Sequence, residues 1–227
     1  AGLTVLKVMQ SWDDGVVDDI RLAGLCREHG AAASFNLNPS LHGSSRGHRW
    51  SYRGKDVQRL ARYELADTYA GFEIANHTAT HPDLRALPAE QLVGEITDAR
   101  HALQDWFGQE VDGFCYPFGW GTQAAQEAVE QAGHRFARRA EGLMDIKAGP
   151  GFRFVKPHAH FTDPHLLEYY ERARREDGYF FFWGHSYELM DEGMWNALGD
   201  LYRRIASDPD ACWTTLCEYV RAVSAPA

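Results

Sequence analysis

Two short stretches carry residue types able to do chemistry. Ser11-Trp12-Asp13-Asp14-Gly15 places adjacent carboxylates directly after the apolar, β-branched run Leu3-Thr4-Val5-Leu6-Lys7-Val8-Met9. Two neighbouring ionised carboxylates at a strand end repel each other and lose hydration, and a bound cation or a shifted pKa is the usual resolution. His77-Thr78-Ala79-Thr80-His81 supplies two imidazoles after a second strand-like run, Gly71-Phe72-Glu73-Ile74-Ala75. On a helical turn, a spacing of four puts both rings on one side. Two neutral imidazoles and one carboxylate make a facial ligand set that holds a divalent metal with positions open to water and substrate.

The pairing of SWDDG at 11–15 with HTATHP at 77–82 resembles the polysaccharide deacetylases of carbohydrate esterase family four, the NodB-homology group. The first two motifs of that family read roughly TFDDG and H(S/T)xxHP. The resemblance implies Asp13 as catalytic base, with Asp14, His77 and His81 as metal ligands. Zinc best suits two histidines and one carboxylate, and cobalt, manganese or nickel would also fit.

Three further stretches extend the resemblance. Phe114-Cys115-Tyr116-Pro117-Phe118-Gly119 is similar to the family's RxPYG, with Phe118 in place of Tyr. The backbone N–H at Phe118 is then expected to help hold an oxyanion, which does not depend on the side chain. Cys115 stands where the family has an arginine beside the base. Without that cation Asp13 is easier to protonate unless another group compensates, and Arg138, Arg139, Arg153 and Lys156 are the available charges. We read Cys115 as a small buried strand residue, not a nucleophile. Phe180-Phe181-Phe182-Trp183-Gly184-His185 resembles the last family motif, which makes His185 the general acid for the leaving amine, with Glu188 placed to orient it. The family's DxxDW has no clear counterpart between Gly119 and His185, which marks a divergent branch. Trp12 and Trp183 are taken as substrate-facing residues, and Trp50 and Trp120 also lie near motifs where a sugar ring could stack. His158 and His160 are read as pocket wall in preference to a second metal site.

The elements that must position these residues follow from periodicity. Apolar spacing predicts a helix over 16–29 ended by Gly30, with Asp18 and Asp19 as first-turn acids complementing the helix N-terminus. A strand is predicted at 32–37, a long polar loop from 38 to 54 as a candidate pocket rim, and a helix over 55–67. The stripe Leu92, Ile96, Ala99, Leu103 and Phe107 predicts one long helix over 88–107. Strands are expected at 111–116, 134–138, 152–156 and 179–184, and helices at 122–132, 163–176 and 190–206. Strands alternating with helices mean a mostly parallel sheet. Periodicity alone leaves an open doubly wound sheet and a barrel equally available. The family resemblance implies an α/β fold, a distorted, incomplete (β/α) barrel of about seven parallel strands, closed by the final strand and helix at 211–220.

The chain of 227 residues, 44% hydrophobic, suits a single catalytic domain over 1–227. Its 23 Lys and Arg against 32 Asp and Glu give a net charge of −9, which argues against nucleic acid or an anionic membrane as partner. No apolar run reaches the roughly 20 residues of a membrane span. Cys26, Cys115, Cys212 and Cys217 show no CxxC spacing and read as reduced, which fits a cytoplasmic location, although a chain opening on Ala leaves room for a removed leader. The leading expectation is a metal-dependent hydrolase removing an acetyl group from the nitrogen of an amino sugar or oligosaccharide. Two alternatives are a hydrolase of small non-sugar C–N bonds (ureide, cyclic imide or formamide) and a carbohydrate-binding protein that has lost catalysis.

Overall fold

A computed structural model describes residues 5–176 and 178–225. The eleven strands and eight helices among them are, in chain order, β1 (Leu6–Asp13), α1 (Asp19–Glu28), β2 (Ser34–Leu37), β3 (Gly47–Tyr52), β4 (Lys55–Arg59), α2 (Leu65–Tyr69), β5 (Glu73–Asn76), α3 (Ala89–Leu92), α4 (Ala99–Phe107), β6 (Gly113–Phe114), α5 (Gln123–Gln131), β7 (Phe136–Arg138), β8 (Arg153–Val155), β9 (Ala159–His160), α6 (Leu166–Glu176), β10 (Tyr179–Gly184), α7 (Glu192–Ala206), β11 (Ala211–Trp213) and α8 (Leu216–Ser224).

Nine strands form one parallel sheet in the order β8-β7-β6-β5-β2-β1-β10-β9, with β11 also on β1. One edge of β1 carries β10 along residues 7–12; the other is shared by β11 at Leu6–Val8 and β2 at Ser11–Asp13. The outermost strands, β8 and β9, are consecutive in the chain and joined only by residues 156–158. So short a link brings the two sheet edges together, and the sheet curls into the expected incomplete barrel.

Side-chain alternation along β1 sorts its residues between two environments. Val8 and Trp12 join the large core beneath the surrounding helices, with Leu22, Ala23 and Cys26 of α1 and Leu198, Leu201 and Tyr202 of α7. Met9 points into the barrel, where it meets Phe181 of β10, Phe136 of β7 and Val155 of β8. Leu216 and Val220 of α8 complete that inner cluster and plug the bottom of the barrel. Ser11 and Asp13 follow Met9 on the inward face, so the strand's polar end opens on the barrel mouth. Because all nine strands are parallel, their C-terminal ends form a single rim, and that is where the candidate residues fall.

Three sequence expectations change. The predicted loop at 38–54 and helix over 55–67 are replaced by an antiparallel hairpin of β3 and β4 and the short α2. Val57, Leu60, Ala61 and Leu65 have helical spacing, but in β4 it is Val57 and Arg59 that alternate inward. The predicted helix over 88–107 is interrupted by a π-helical segment, Val93–Asp98, between α3 and α4. The wider turn leaves carbonyls for other partners: Ala79 N–H donates to Glu95 O (3.0 Å) and Asn76 Nδ2 to Ile96 O (2.8 Å).

Candidate active site

The DDG turn ends β1 through two left-handed residues, Asp14 (φ 85°) and Gly15 (φ 64°). A Cβ at Gly15 would lie 2.6 Å from His42 Cε1, so the position requires glycine for space as well as conformation. The turn separates the neighbouring carboxylates into two different sets of partners.

Asp13 is 2% exposed. Its Oδ1 accepts from Asn36 Nδ2 (2.7 Å) and Arg138 Nη1 (2.8 Å), and its Oδ2 accepts from Arg138 Nη2 (2.6 Å). Burial opposes ionisation, yet the guanidinium of Arg138, with help from His77 and His185, holds this carboxyl far below the usual carboxylate range. Arg138, at the end of β7, is therefore the cation that replaces the arginine missing at Cys115. The Cys115 Sγ lies 3.9 Å from both Asp13 oxygens, and burial pushes its thiol well above the ordinary range, consistent with an inert filler.

Asp14 turns the other way. Its Oδ1 stands 3.6 Å from His77 Nε2 and 3.5 Å from His81 Nε2, is buried and accepts no hydrogen bond among the described residues. His77 Nδ1 lies 2.7 Å from Cys115 O, so Nδ1 carries the proton and Nε2 faces Asp14 as a lone pair. Burial lowers the pKa of His77 to about 4 and lowers that of His81, so both imidazoles are neutral at pH 7. The rings do not converge on a helical turn as their spacing predicts. Left-handed bends at Thr78 (φ 72°) and His81 (φ 59°) fold the segment back instead. Hydrogen bonds from Thr78 N to Asn76 Oδ1 (2.9 Å), from His81 N to Thr78 Oγ1 (3.0 Å) and from Asn38 Nδ2 to His77 O (2.6 Å) fix it.

These three atoms fit a divalent metal. Ligands about 2.1 Å from a common tetrahedral centre lie about 3.4 Å apart, close to the spacings around Asp14 Oδ1. That orphaned buried oxygen and two neutral imidazole nitrogens form the donor set such an ion requires.

His185 follows β10 and faces both carboxylates, its Nε2 3.8 Å from Asp13 Oδ2 and 3.8 Å from Asp14 Oδ2. Glu188 Oε2 lies 3.2 Å from His185 Nδ1 and accepts from the His185 backbone N–H (2.9 Å). The same Oε2 lies 2.7 Å from His160 Nε2, and His160 Nδ1 is 2.7 Å from Thr162 Oγ1. Burial disfavours a charged His185, but Glu188, Asp13 and Asp14 outweigh it and raise its pKa to about 9. Neither His158 nor His160 lines the cavity described next, contrary to the pocket-wall reading: the His158 ring packs on Tyr179 and Phe180, and His160 packs on Trp183.

A cavity of about 360 Å³ is lined by Asp13, Asp14, His77, His81, His185 and Arg138, with Tyr116, Phe118, Trp183 and Tyr187 among its walls. Phe118 sits in a turn at φ 59° with its ring 4.7 Å from that of His81. Trp183 lines the cavity, with the Arg138 guanidinium 4.4 Å above its ring. Trp12 is corrected: it is fully buried between Phe161 and Phe182 and donates to Gln10 Oε1, because residue 12 falls on the outward face of β1. Trp50 lies in the hairpin against Tyr187, and Trp120 under Arg85. Neither lines the cavity. Asp19 is more than a first-turn acid, since it is buried and accepts from Tyr69 OH (2.5 Å) and Ser186 Oγ (2.5 Å). Sequence reasoning missed Asn36 and Arg59. Both alternate inward on strands whose partners a sequence does not show.

A curled parallel sheet that gathers a buried aspartate–arginine pair, a metal-competent Asp/His/His set and a carboxylate-held histidine on one rim defines a hydrolase-like barrel. The chain belongs to the polysaccharide deacetylase family, whose sequence model matches residues 7–137. That match includes both motifs at the rim and ends just short of Arg138 and well before His185. A search of curated proteins by sequence finds no match. Among solved structures, the Xyl-CE4 domain of a multidomain xylanase from the hindgut metagenome of Trinervitermes trinervoides is 13% identical, with a TM-score of 0.64 over 98% of this chain and 93% of that one. The family 4 carbohydrate esterase from Streptomyces lividans, solved with acetate, is 14% identical, with a TM-score of 0.59 over 93% of each chain. The Streptococcus pyogenes deacetylase PplD, also with acetate, is 18% identical, with a TM-score of 0.49; the match covers 57% of this chain and 54% of that one. At these identities the likeness is one of fold. No helix among the described residues is long and apolar enough to cross a membrane.

Proposed function

We propose that this chain is a metal-dependent deacetylase that hydrolyses the N-acetyl group of an amino sugar or a short oligosaccharide. The observation that carries this reading is the division of labour between adjacent aspartates: Asp13 is neutralised by Arg138, while Asp14 Oδ1 is left facing two imidazole nitrogens. Asp14, His77 and His81 would hold a divalent ion, zinc by preference with cobalt, manganese or nickel as substitutes. When bound, such an ion polarises an amide carbonyl and lowers the pKa of water. Asp13, kept ionised by Arg138, takes the proton of the attacking water. His185, kept protonated by Glu188, donates one to the departing amine. The backbone N–H at Phe118 contributes to holding the oxyanion, and Trp183 supplies a face for the sugar ring.

The cavity volume of about 360 Å³ suits a single ring, which favours a small substrate and keeps a second reading in view: hydrolysis of a ureide, cyclic imide or formamide on the same centre. One experiment separates these. Metal content is measured before and after chelation while N-acetyl sugars and small amides are assayed together. Chelator-sensitive release of free amine from an N-acetyl sugar supports deacetylation. Ammonia or a ring-opened acid supports the second reading, and a chain that cannot be loaded with metal overturns both.

A further inference from the structure

Arg59 lies outside every motif, yet it reaches the centre. It ends β4, pairs with Val16 just beyond the DDG turn through an isolated bridge, and is 7% exposed. Its Nη2 donates to Asn38 Oδ1 (3.2 Å) and stands 3.6 Å from Asp14 Oδ1, the oxygen that also faces His77 and His81. The guanidinium lies 4.9 Å over the Trp50 ring, and its buried Nε has no partner among the described residues. The hairpin therefore holds a fixed positive charge against the carboxylate of the metal set. Each aspartate of the DDG turn has its own guanidinium, Arg138 on Asp13 and Arg59 on Asp14.

Resting on the metal-dependent reading above, we propose that Arg59 is a positioning residue that competes with the cation for Asp14 and shifts the centre's affinity from metal toward anion. The physical argument is Coulombic. A ligand carboxylate normally offsets one of an ion's two positive charges, but here part of that offset is drawn by a buried guanidinium 3.6 Å away that makes no hydrogen bond to it. A bound cation then keeps more of its charge for the oxygen of a substrate acyl group or a carboxylate product. The cost is a looser hold on the ion. Removing a group that supports a metal ligand typically costs about 10- to 100-fold in affinity; removing a cation that competes for the ligand should act in the opposite direction, and an effect at the lower end of that size is expected.

The test measures binding, not turnover. Protein stripped of metal is titrated with zinc in competition with a chromophoric chelator, and acetate binding to the loaded protein is followed by calorimetry. Arg59→Gln should bind zinc about tenfold more tightly and acetate about tenfold more weakly than the parent. Arg59→Lys, which keeps the charge, should stay close to the parent in both. Arg59→Met, which keeps a buried apolar stem and removes the charge, reads the same quantities if the Gln variant does not fold. Zinc affinity that is unchanged or lower in the charge-removing variants overturns the proposal, as does a Lys variant that behaves like Gln. A parent protein that takes up no zinc overturns the metal-dependent reading itself, which is a different result.

Discussion

Arg138 and Asp13 are joined by two parallel hydrogen bonds of 2.8 and 2.6 Å across 125 positions of sequence, the first from β7 and the second from β1. Both groups are nearly sealed from water, with side-chain exposures of 10% and 3%. Buried pairs of this kind are costly to half-remove, because the remaining charge has no other partner. Arg138→Gln should lower unfolding free energy by about 3 kcal/mol or more in urea titration. It should also raise the Asp13 pKa. Arg138→Lys should recover only part of the loss, since an ammonium does not reproduce the forked geometry. A Gln variant as stable as the parent would mean that Asp13 finds its compensation elsewhere.

Asp13→Asn and His77→Ala should fail in different ways. The first removes the proposed proton acceptor but none of the proposed metal donors, so turnover should disappear while metal remains. The second removes a donor and should lose both. Elemental analysis beside an amine-release assay distinguishes the two patterns, and retained turnover in Asp13→Asn would take the base role away from that residue.

Against burial, Glu188, Asp13 and Asp14 together raise the pKa of His185, Glu188 most strongly. In metal-free protein, the Cε1 proton of His185 should titrate near pH 9. In Glu188→Gln the carboxylate is gone and the midpoint should move down toward the ordinary value of about 6.5. An unchanged midpoint would assign the shift to Asp13 and Asp14 alone.

Acid should unfold the protein through its buried neutral histidines. Burial lowers the pKa of His42 to about 4 and that of His134 to about 3. His134 is held in that state by Val129 O, 2.9 Å from its Nδ1, and by Asn76 Nδ2, 3.2 Å from its Nε2. The unfolded chain takes up these protons near pH 6.5, while the folded chain refuses them until far lower. Their contribution is therefore complete above about pH 6.5 and is lost as pH falls toward 4 and then 3. At pH 5 the loss is about 2 kcal/mol for each. Urea titrations at pH 7.5 and 5.0 read the net of all groups that titrate between them, and His134→Gln isolates one histidine's share by removing about 2 kcal/mol of the loss.

Gly15→Ala should destabilise by about 2 kcal/mol or more, since the left-handed conformation disfavours any Cβ and this one would collide with the buried His42 ring. Thermal unfolding reads the loss. A Gly15→Ala, His42→Ala double variant that recovers part of it would confirm the collision.

The alternation along β1 shows how much was legible. Asp13 and Asp14 declare themselves through their chemistry, and the family motifs give His77, His81 and His185 their order. Trp12 departs from the expectation because residues 9, 11 and 13 share the inward face, which places 12 among the helices. The same alternation on β10 sends Phe181 and Trp183 inward and Phe180 and Phe182 outward. Arg138 was one of four basic candidates, and only the register of β7 beside β6 selects it. The hairpin was hidden because its own two strands carry mostly polar residues and add nothing to the main sheet. Arg59, Asn36 and the contact between Glu188 and His160 depend on segments distant in sequence, which no local pattern encodes.

The centre's position on β1 also fixes when it can come into being. During synthesis, β1 and its two aspartates emerge first, but the edge taken by β10 stays open until residue 184 has been made. The bidentate partner of Asp13 arrives at 138, the proposed proton donor at 185 and its carboxylate at 188. A nascent chain halted after the second histidine would already carry the residues of the proposed metal set without the strand that completes their wall. The full set of side chains can therefore close only once residue 188 has been made, long after the two aspartates.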